Sequence, residues 1–583
     1  MEFTEEQLNY IHSSLEKHTF LEACPGSGKT EVVSAKVAKE ISSWNKYPGG
    51  IAILSFTNSA TDELTNRIST HLSQAKIMFP HFLGTFDSFI YKNIVSPLAT
   101  ELTEYIGTGN DASIKIIDAS ATLGYRTKYS YAKRGSIHAH HFSFDMKSSG
   151  IIFHTGDSIT DKTLSKLTLK DWEIKDFQDT KSRMFQGGFA TYKDIEYLAI
   201  MAIRDYKFQK YIELLVKRYP LIIIDECQDL SEEQLTILQA FSDNGSILHF
   251  VGDLHQAIYG FRDVEPIQVT TFVTNNTFLH LKLTRNFRSC QNIINVCSKL
   301  TGRSDITGDI SWLDPRCIVM QYDNCPTELA SSFDKIFSKF EKNVILSRGH
   351  SILRKFQTNI TELNNIQKLA LAIKTFNTDD IEELKISLQL FSEFISHHLE
   401  ENYSSNNFNC PQSIASHLIW RKFLCTALSY LVTHDLKNMN VTWSVWTKKS
   451  KALIHSLSKQ AFCSESIALA ITRLDGVKLI SPSGLSEEVV TTTLGSSIKS
   501  TFSYRKSTIH GAKGETHDVT VVISSPRAGS DSHWLSWIKS QDTESARFAY
   551  VASSRPKHYL IWAVKRLKES EKDKLKAMGF HIY

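Results

Sequence analysis

Ala23-Cys-Pro-Gly-Ser-Gly-Lys-Thr30 follows the apolar run Thr19-Phe-Leu and opens a stretch of helical spacing. An [AG]xxxxGK[ST] loop between a buried strand and a helix is built to receive phosphate, and its reading decides the fold class. Gly26 and Gly28 let backbone N–H groups crowd round an anion, and the helix N-terminus adds partial positive charge. Ala23, Cys24, Pro25 and Ser27 complete the loop, Lys29 is positioned to neutralise β/γ oxygens, and Thr30 to hold Mg²⁺. Alone, the motif could still be a glycine turn before an ordinary helix. A second motif narrows the choice. Leu221-Ile-Ile-Ile-Asp-Glu-Cys-Gln-Asp229 is a continuous apolar strand ending in adjacent carboxylates. Asp225 suits a hydrated Mg²⁺, and Glu226 suits orienting and deprotonating a water that attacks a γ-phosphate. ATP and Mg²⁺ are therefore the expected cofactors.

Outward from these motifs, Thr19–Ala23, Ile51–Phe56, Leu221–Asp225 and Ile247–Gly252 read as strands of one parallel sheet. Asn343–Ser347, Val519–Ser524 and Tyr559–Val564 read as strands of a second. The expected fold is α/β, with two helix-flanked parallel sheets, each interrupted by a mainly helical insertion. The first core takes residues 1–95 and 191–287 around an insertion at 96–190. The second takes 288–360 and 491–583 around an insertion at 361–490. Within that second insertion Ile381–Leu399 and Gln412–Val432 carry apolar residues at helical spacing.

The 583 residues are three to four times a usual domain of roughly 150. With 42% hydrophobic and 22% charged residues the chain should fold throughout, and a net charge of +4 offers no global sign of a polyanionic partner. Nine cysteines without a CxxC pair or metal-ligand spacing predict a reducing compartment and no structural zinc. The acidic, amphipathic start and the lack of a long apolar run predict a cytoplasmic protein without a membrane span. His138, His140, His141, His397 and His398 lack partner spacing and read as solvated. The mixed-sign tail Lys565–Lys576 reads as a solvated helix. Trp443 and Trp446, followed by Lys448, Lys449 and Lys451, could touch a duplex or a partner, with packing of the insertion an equal alternative.

The DExQD form of the second motif resembles the superfamily-1 helicases UvrD, Rep and PcrA, and further blocks follow in family order. Gln7 resembles the glutamine that reads the adenine edge. Val251-Gly-Asp-Leu-His-Gln-Ala-Ile-Tyr-Gly-Phe-Arg262 is similar to GDxxQSIYxxR, which implies that Gln256 senses the γ-phosphate. Asn286-Phe-Arg-Ser289 is similar to NYRS, implying that Phe287 stacks on adenine and Arg288 reaches a phosphate. Ser507–Gly514 resembles TxHxxKG, and Phe548–Arg555 resembles AYVxxTR, whose arginine acts as a finger. The resemblance implies two RecA-like P-loop NTPase cores. It also places Thr57, Thr85 and His510 on DNA phosphate and Tyr259 and Phe261 on bases, with Asn58 and Arg262 in the same loops. Phe56 and Phe89 read instead as packed rings.

Some positions depart from the pattern. Asp87 stands where GTFHSF has His, Glu31 where an arginine often packs on the base, and Glu515 lies one position early for its contact with ribose. The resemblance implies an ATP-dependent helicase or translocase on single-stranded DNA or single-strand/duplex junctions, of 3′–5′ polarity, in DNA repair or anti-phage defence. The chain is also similar to the compact UvrD-like subunit of Gabija-type anti-phage systems. That suggests the alternative, an ATP- or DNA-sensing regulatory subunit of a partner nuclease. The 28 residues after Arg555 (583 − 555) are too few for a nuclease domain of its own, so cleavage would come from elsewhere.

Overall fold

The computed structural model describes residues 2–72, 79–107, 111–146, 150–258, 260, 264–309, 316–353, 356, 363–399, 403–404, 408–490, 504–541 and 543–583. The chain divides into two compact units, one of Met1–Val319, Ile509–Trp562 and Leu567–Tyr583, the other of Met320–Thr508 and Ala563–Arg566.

In the first unit, Thr19–Ala23 (β1), Ile51–Ser55 (β2), Phe82–Thr85 (β3), Leu221–Asp225 (β4), Ile247–Gly252 (β5) and Leu279–Leu283 (β6) form one parallel sheet in the order β6-β1-β5-β4-β2-β3. A parallel sheet covered on both faces must be apolar on both, so its central strands read as unbroken hydrophobic runs. Alternate residues go to opposite layers. Phe20, Leu54, Ile222, Ile224 and Phe250 join one apolar cluster, while Leu21, Ile51, Ile53, Ile223 and Val251 join the other with Val32, Val33 and Val37 of the helix after the glycine loop. The edge strands β3 and β6 escaped the sequence reading because their residues are only partly buried. β1, β5 and β4 are consecutive neighbours, so the loops at their carboxyl ends converge, as ligand-binding loops do in such sheets.

The first insertion mixes helices, including Asp171–Gln186, with short paired strands, Phe142–Phe144 against Ile151–Phe153. Lys181 of that helix is buried and ties the insertion down. Its ammonium lies 2.9 Å from the Asp194 carboxylate and donates to the Ala139 and Phe142 carbonyls at 2.6 and 2.5 Å. Cys317–Tyr322, His517–Ile523, Pro556–Lys565 and His581–Ile582 supply further strands, which cover the runs expected near 519–524 and 559–564.

In the second unit Asn343–Ser347 pairs in parallel with Tyr504–Thr508. Helices Ile381–Ser396 and His417–Leu431 stand where apolar spacing placed them. They pack round Trp420, Trp443 and Trp446, and the two last are 0% and 1% exposed, so this pair fills a core. Among the described residues no helix is long and apolar enough to cross a membrane, and all nine cysteines are free.

Candidate active site

Gly26 and Gly28 have φ of +70° and +77°, left-handed values that glycine adopts without penalty. A Cβ on Gly26 would lie 2.6 Å from the Arg288 Cβ, so the loop is threaded where only glycine fits. The loop is held from several directions. Asn286 Nδ2 donates to the Pro25 carbonyl, Phe287 N to Gly26 O at 2.9 Å, and Gln7 Nε2 to Ser27 O at 3.0 Å. Glu226 ends the strand β4 with φ of +60°, a strained conformation for a side chain with a Cβ and one that clusters at functional sites.

A cleft of about 270 Å³ is lined by Ala23 to Gly26, Gly28 to Glu31, Asp225, Glu226, Asp253, Gln256, Arg288 and Arg555, joined by Gly514 and Thr516. The Lys29 ammonium sits 3.1 Å from Asp225 and forms an ion pair with Glu226. Burial would discharge this lysine, but the two carboxylates outweigh it and hold its pKa above the ordinary value. Burial pushes the Asp225 carboxyl up. Glu226, buried but facing Lys29 and Lys513, is held down at about 2 and is a carboxylate at neutral pH.

Arg555 is fully buried. Its guanidinium donates to Gln256 Oε1 at 2.7 Å and Val551 O at 2.8 Å, and Gln256 in turn donates to Asp253 at 2.9 Å. Arg288 donates to Ser554 O at 3.0 Å, and burial together with neighbouring Arg555 pushes its pKa down to about 9. Among the described residues neither arginine has an ion-pair partner. A buried Arg555 and a half-buried Arg288, both turned to the cleft that holds Lys29, suit an anion that carries several negative oxygens.

The donor set fits Mg-ATP. Mg²⁺ takes one or two carboxylates with substrate phosphates, which Asp225 and Thr30 can complete, and the Ser27 hydroxyl is buried without a partner in the loop.

A second groove is lined by Phe56, Thr57, Asn58, Thr85, Asp87, Ser88, Tyr91, Ile116 and Tyr192. Thr57, Asn58 and Thr85 are thus brought together. Asp87 does stand among them. Phe89 is buried and Phe56 packs partly against the same core, as expected. His510 lies apart from the groove, with Nε2 3.0 Å from Ile258 O. Tyr259, Phe261 and Arg262 lie outside the described residues. Gln7, Phe287 and Glu515 do not line the cleft: the Gln7 amide is spent on Ser27 and Thr4, Phe287 is 55% exposed, and Glu515 meets His517 at 3.0 Å.

Residues 3–275 match the UvrD/REP helicase N-terminal domain. The chain is similar to DNA helicase II of Haemophilus influenzae, with 25% identity over 53% of this chain and 42% of that protein. It is similar to the ATP-dependent DNA helicase srs2 of Schizosaccharomyces pombe at 23%, over 79% of this chain and 55% of that one. Gabija protein GajB of Bacillus cereus is 28% identical over 46% of this chain and 44% of its own. The chain spans about half the length of these relatives.

The sequence reading did not find several side chains and pairings around the cleft and the groove. Arg67 lines the cleft and is held by Glu31 at 2.6 Å, so the glutamate that departs from the family pattern brings in an arginine from another helix. Lys513 forms a buried pair with Asp229 at 2.5 Å, and Tyr550 donates to Asp253 at 2.9 Å. Tyr192 presents an exposed ring to the groove. Arg67 and Tyr192 stand outside any motif and carry no spacing signal, while Lys513 and Tyr550 lie in quoted blocks whose spacing does not name their partners. One expectation is corrected. His140 is fully buried rather than solvated, and burial with two neighbouring histidines lowers its pKa to about 4. Among the described residues no group of three or more His, Cys, Asp or Glu is arranged to hold a metal.

Proposed function

We propose that the chain hydrolyses Mg-ATP in the cleft and uses the cycle to move along single-stranded DNA with 3′–5′ polarity. The observation that carries this is the pair of arginines, Arg555 buried and Arg288 half-buried, that share one cleft with the Lys29, Asp225 and Glu226 cluster.

The glycine loop and Lys29 bind the phosphates, and Lys29 exchanges its carboxylate partners for phosphate oxygens. That exchange leaves Glu226, ionised and held by Gln228, to orient a water and accept its proton. Bound Mg²⁺, held by Thr30 and Asp225, supplies charge neutralisation at the phosphate oxygens. Arg288 and Arg555 stabilise the charge that builds up in the transition state. Gln256 touches both Arg555 and Asp253, so the presence of a γ-phosphate is felt in the loop that leads on to residues 259–262. Phe287, exposed beside the loop, stacks on the base; Gln7 reads its edge only by giving up its bonds to Ser27 and Thr4, and Glu515 turns from His517 to the ribose. Thr57, Asn58, Thr85 and His510 hold strand phosphates, and Tyr192 joins Tyr259 and Phe261 in stacking bases, the sequence-tolerant contacts a motor needs.

The likeness to Gabija protein GajB favours a second reading, in which the same cycle senses ATP or DNA and controls a partner nuclease in anti-phage defence. Steady-state ATP hydrolysis with and without single-stranded DNA, beside Lys29→Ala and Glu226→Gln, separates the two. A DNA-stimulated rate abolished by both substitutions supports the motor. No hydrolysis in either condition rejects it and leaves the sensing reading.

A further inference from the structure

Arg126-Thr-Lys-Tyr-Ser-Tyr-Ala-Lys-Arg-Gly-Ser-Ile-His138, in the first insertion, contains four cations and no carboxylate before its closing histidine. It folds as a hairpin. Arg126 bridges His138, Thr127 N donates to Ile137 O at 2.9 Å, and Tyr131 N donates to Gly135 O at 3.0 Å. Ala132 and Lys133 at its tip have φ of +46° and +59°, uncommon for residues with a Cβ. What holds it is Asp176, a buried carboxylate on helix Asp171–Gln186. It accepts from Lys128 N at 2.9 Å, Tyr129 N at 3.3 Å and the Tyr131 hydroxyl at 2.9 Å.

The buried carboxylate thus fixes a loop whose outward side chains are Arg126, Lys128, Tyr129, Lys133 and Arg134. Among the described residues none of the four cations is in an ion pair. Tyr129, 50% exposed, meets Trp172, 47% exposed, with ring centroids 4.6 Å apart. Lys170 and Lys175 flank the tryptophan. Of its two acidic neighbours, Asp171 and Glu173, the latter is engaged by Lys170 N at 2.8 Å. The Trp443–Trp446 pair fills a core, whereas this pair is half exposed on a fixed scaffold with exposed cations beside it.

We propose that this hairpin and Trp172 form a contact for an unpaired nucleic-acid strand outside the groove of Thr57 and Thr85. Arg126, Lys128, Lys133 and Arg134 hold phosphates, and the Tyr129–Trp172 pair receives a base face. Base faces are accessible only outside a duplex stack, which selects the single strand. The proposal rests on the strand-binding reading above for its ligand, and on the hairpin alone for its place.

The test is fluorescence anisotropy with oligothymidylates of about 10 and about 40 nucleotides, the shorter within one binding site, and with a blunt duplex. The variants are Lys128→Glu/Lys133→Glu/Arg134→Glu and Tyr129→Ala/Trp172→Ala. The charge reversals, all on exposed side chains, should weaken the long oligonucleotide about tenfold or more and lower the slope of log K against log salt by about 2, three phosphates at about 0.7 each. The ring variant should weaken it about tenfold at unchanged slope. Short-strand affinity should stay at the wild-type value. Wild-type affinity and slope for the long strand in both variants would overturn the assignment, as would a loss confined to the duplex. If the wild type binds neither oligonucleotide, the strand-binding reading falls and the hairpin assignment with it. Wild-type binding left unchanged in the variants rejects the hairpin alone.

Discussion

In the cleft at the ends of β1, β4 and β5, Lys29, Asp225, Glu226, Arg288 and Arg555 are withdrawn from water with only partial mutual compensation. Between residues 366 and 490 the interior is instead filled by Trp420, Trp443, Trp446, Phe391 and Phe394, and the indole N–H groups of Trp420 and Trp446 donate to backbone carbonyls at 2.7 and 3.0 Å. Burying charge costs stability, and burying rings supplies it. The first region therefore spends stability on charges that a ligand can reach, and the second, sealed from solvent, supplies it.

The largest expected effect breaks that comparison if it fails. Glu226→Gln or Arg555→Ala should reduce the steady-state rate of phosphate release about 10³-fold or more. A retained rate would mean that the buried charges serve the fold after all. Trp446→Ala should do the reverse. It should lower unfolding stability by about 3–5 kcal/mol in denaturant titration, with little change in hydrolysis per folded molecule.

A third test uses acid. His249, on β5, is fully buried, and burial followed by Lys36 lowers its pKa to about 3. The unfolded chain takes up a proton near 6.5 that the folded one refuses until about 3. Stability is therefore intact above about pH 6.5 and lost as pH falls through that window, by about 3 kcal/mol at pH 4. His249→Leu should flatten this part of the pH–stability curve; an unchanged curve would remove the histidine as its source. The smallest effect sharpens the contrast. ATP at a hundredfold excess over its Kd should stabilise the protein by about 2.7 kcal/mol in thermal or denaturant melts. Arg288→Ala should abolish much of that gain while leaving the unliganded melt nearly unchanged or raised.

The glycine loop, the Asp225-Glu226 strand end and the arginines at 288 and 555 were legible because each lies in a short local pattern whose chemistry fixes its spacing. Their convergence was legible too, since strand ends of a parallel sheet share one side. Arg67 against Glu31, Lys513 against Asp229 and Tyr550 against Asp253 were not. The last two pairs are separated by 284 and 297 residues, and no local rule selects one partner over another at such a distance.

Two aromatic pairs mark the same boundary. Trp443 and Trp446, with lysines close behind, drew attention as a possible contact surface, and they are core. Tyr129 and Trp172, 43 residues apart (172 − 129), gave no such signal, and they stand exposed together. Sequence alone determined the α/β class, the glycine loop between strand and helix, and the adjacent carboxylates at a strand end, because backbone geometry restricts which residues can stand there. Tertiary structure alone decided which aromatic and charged side chains face water. Burial is a property of the packed chain, set by which distant segments come together, and identical residues are apolar filling in one setting and a binding surface in another.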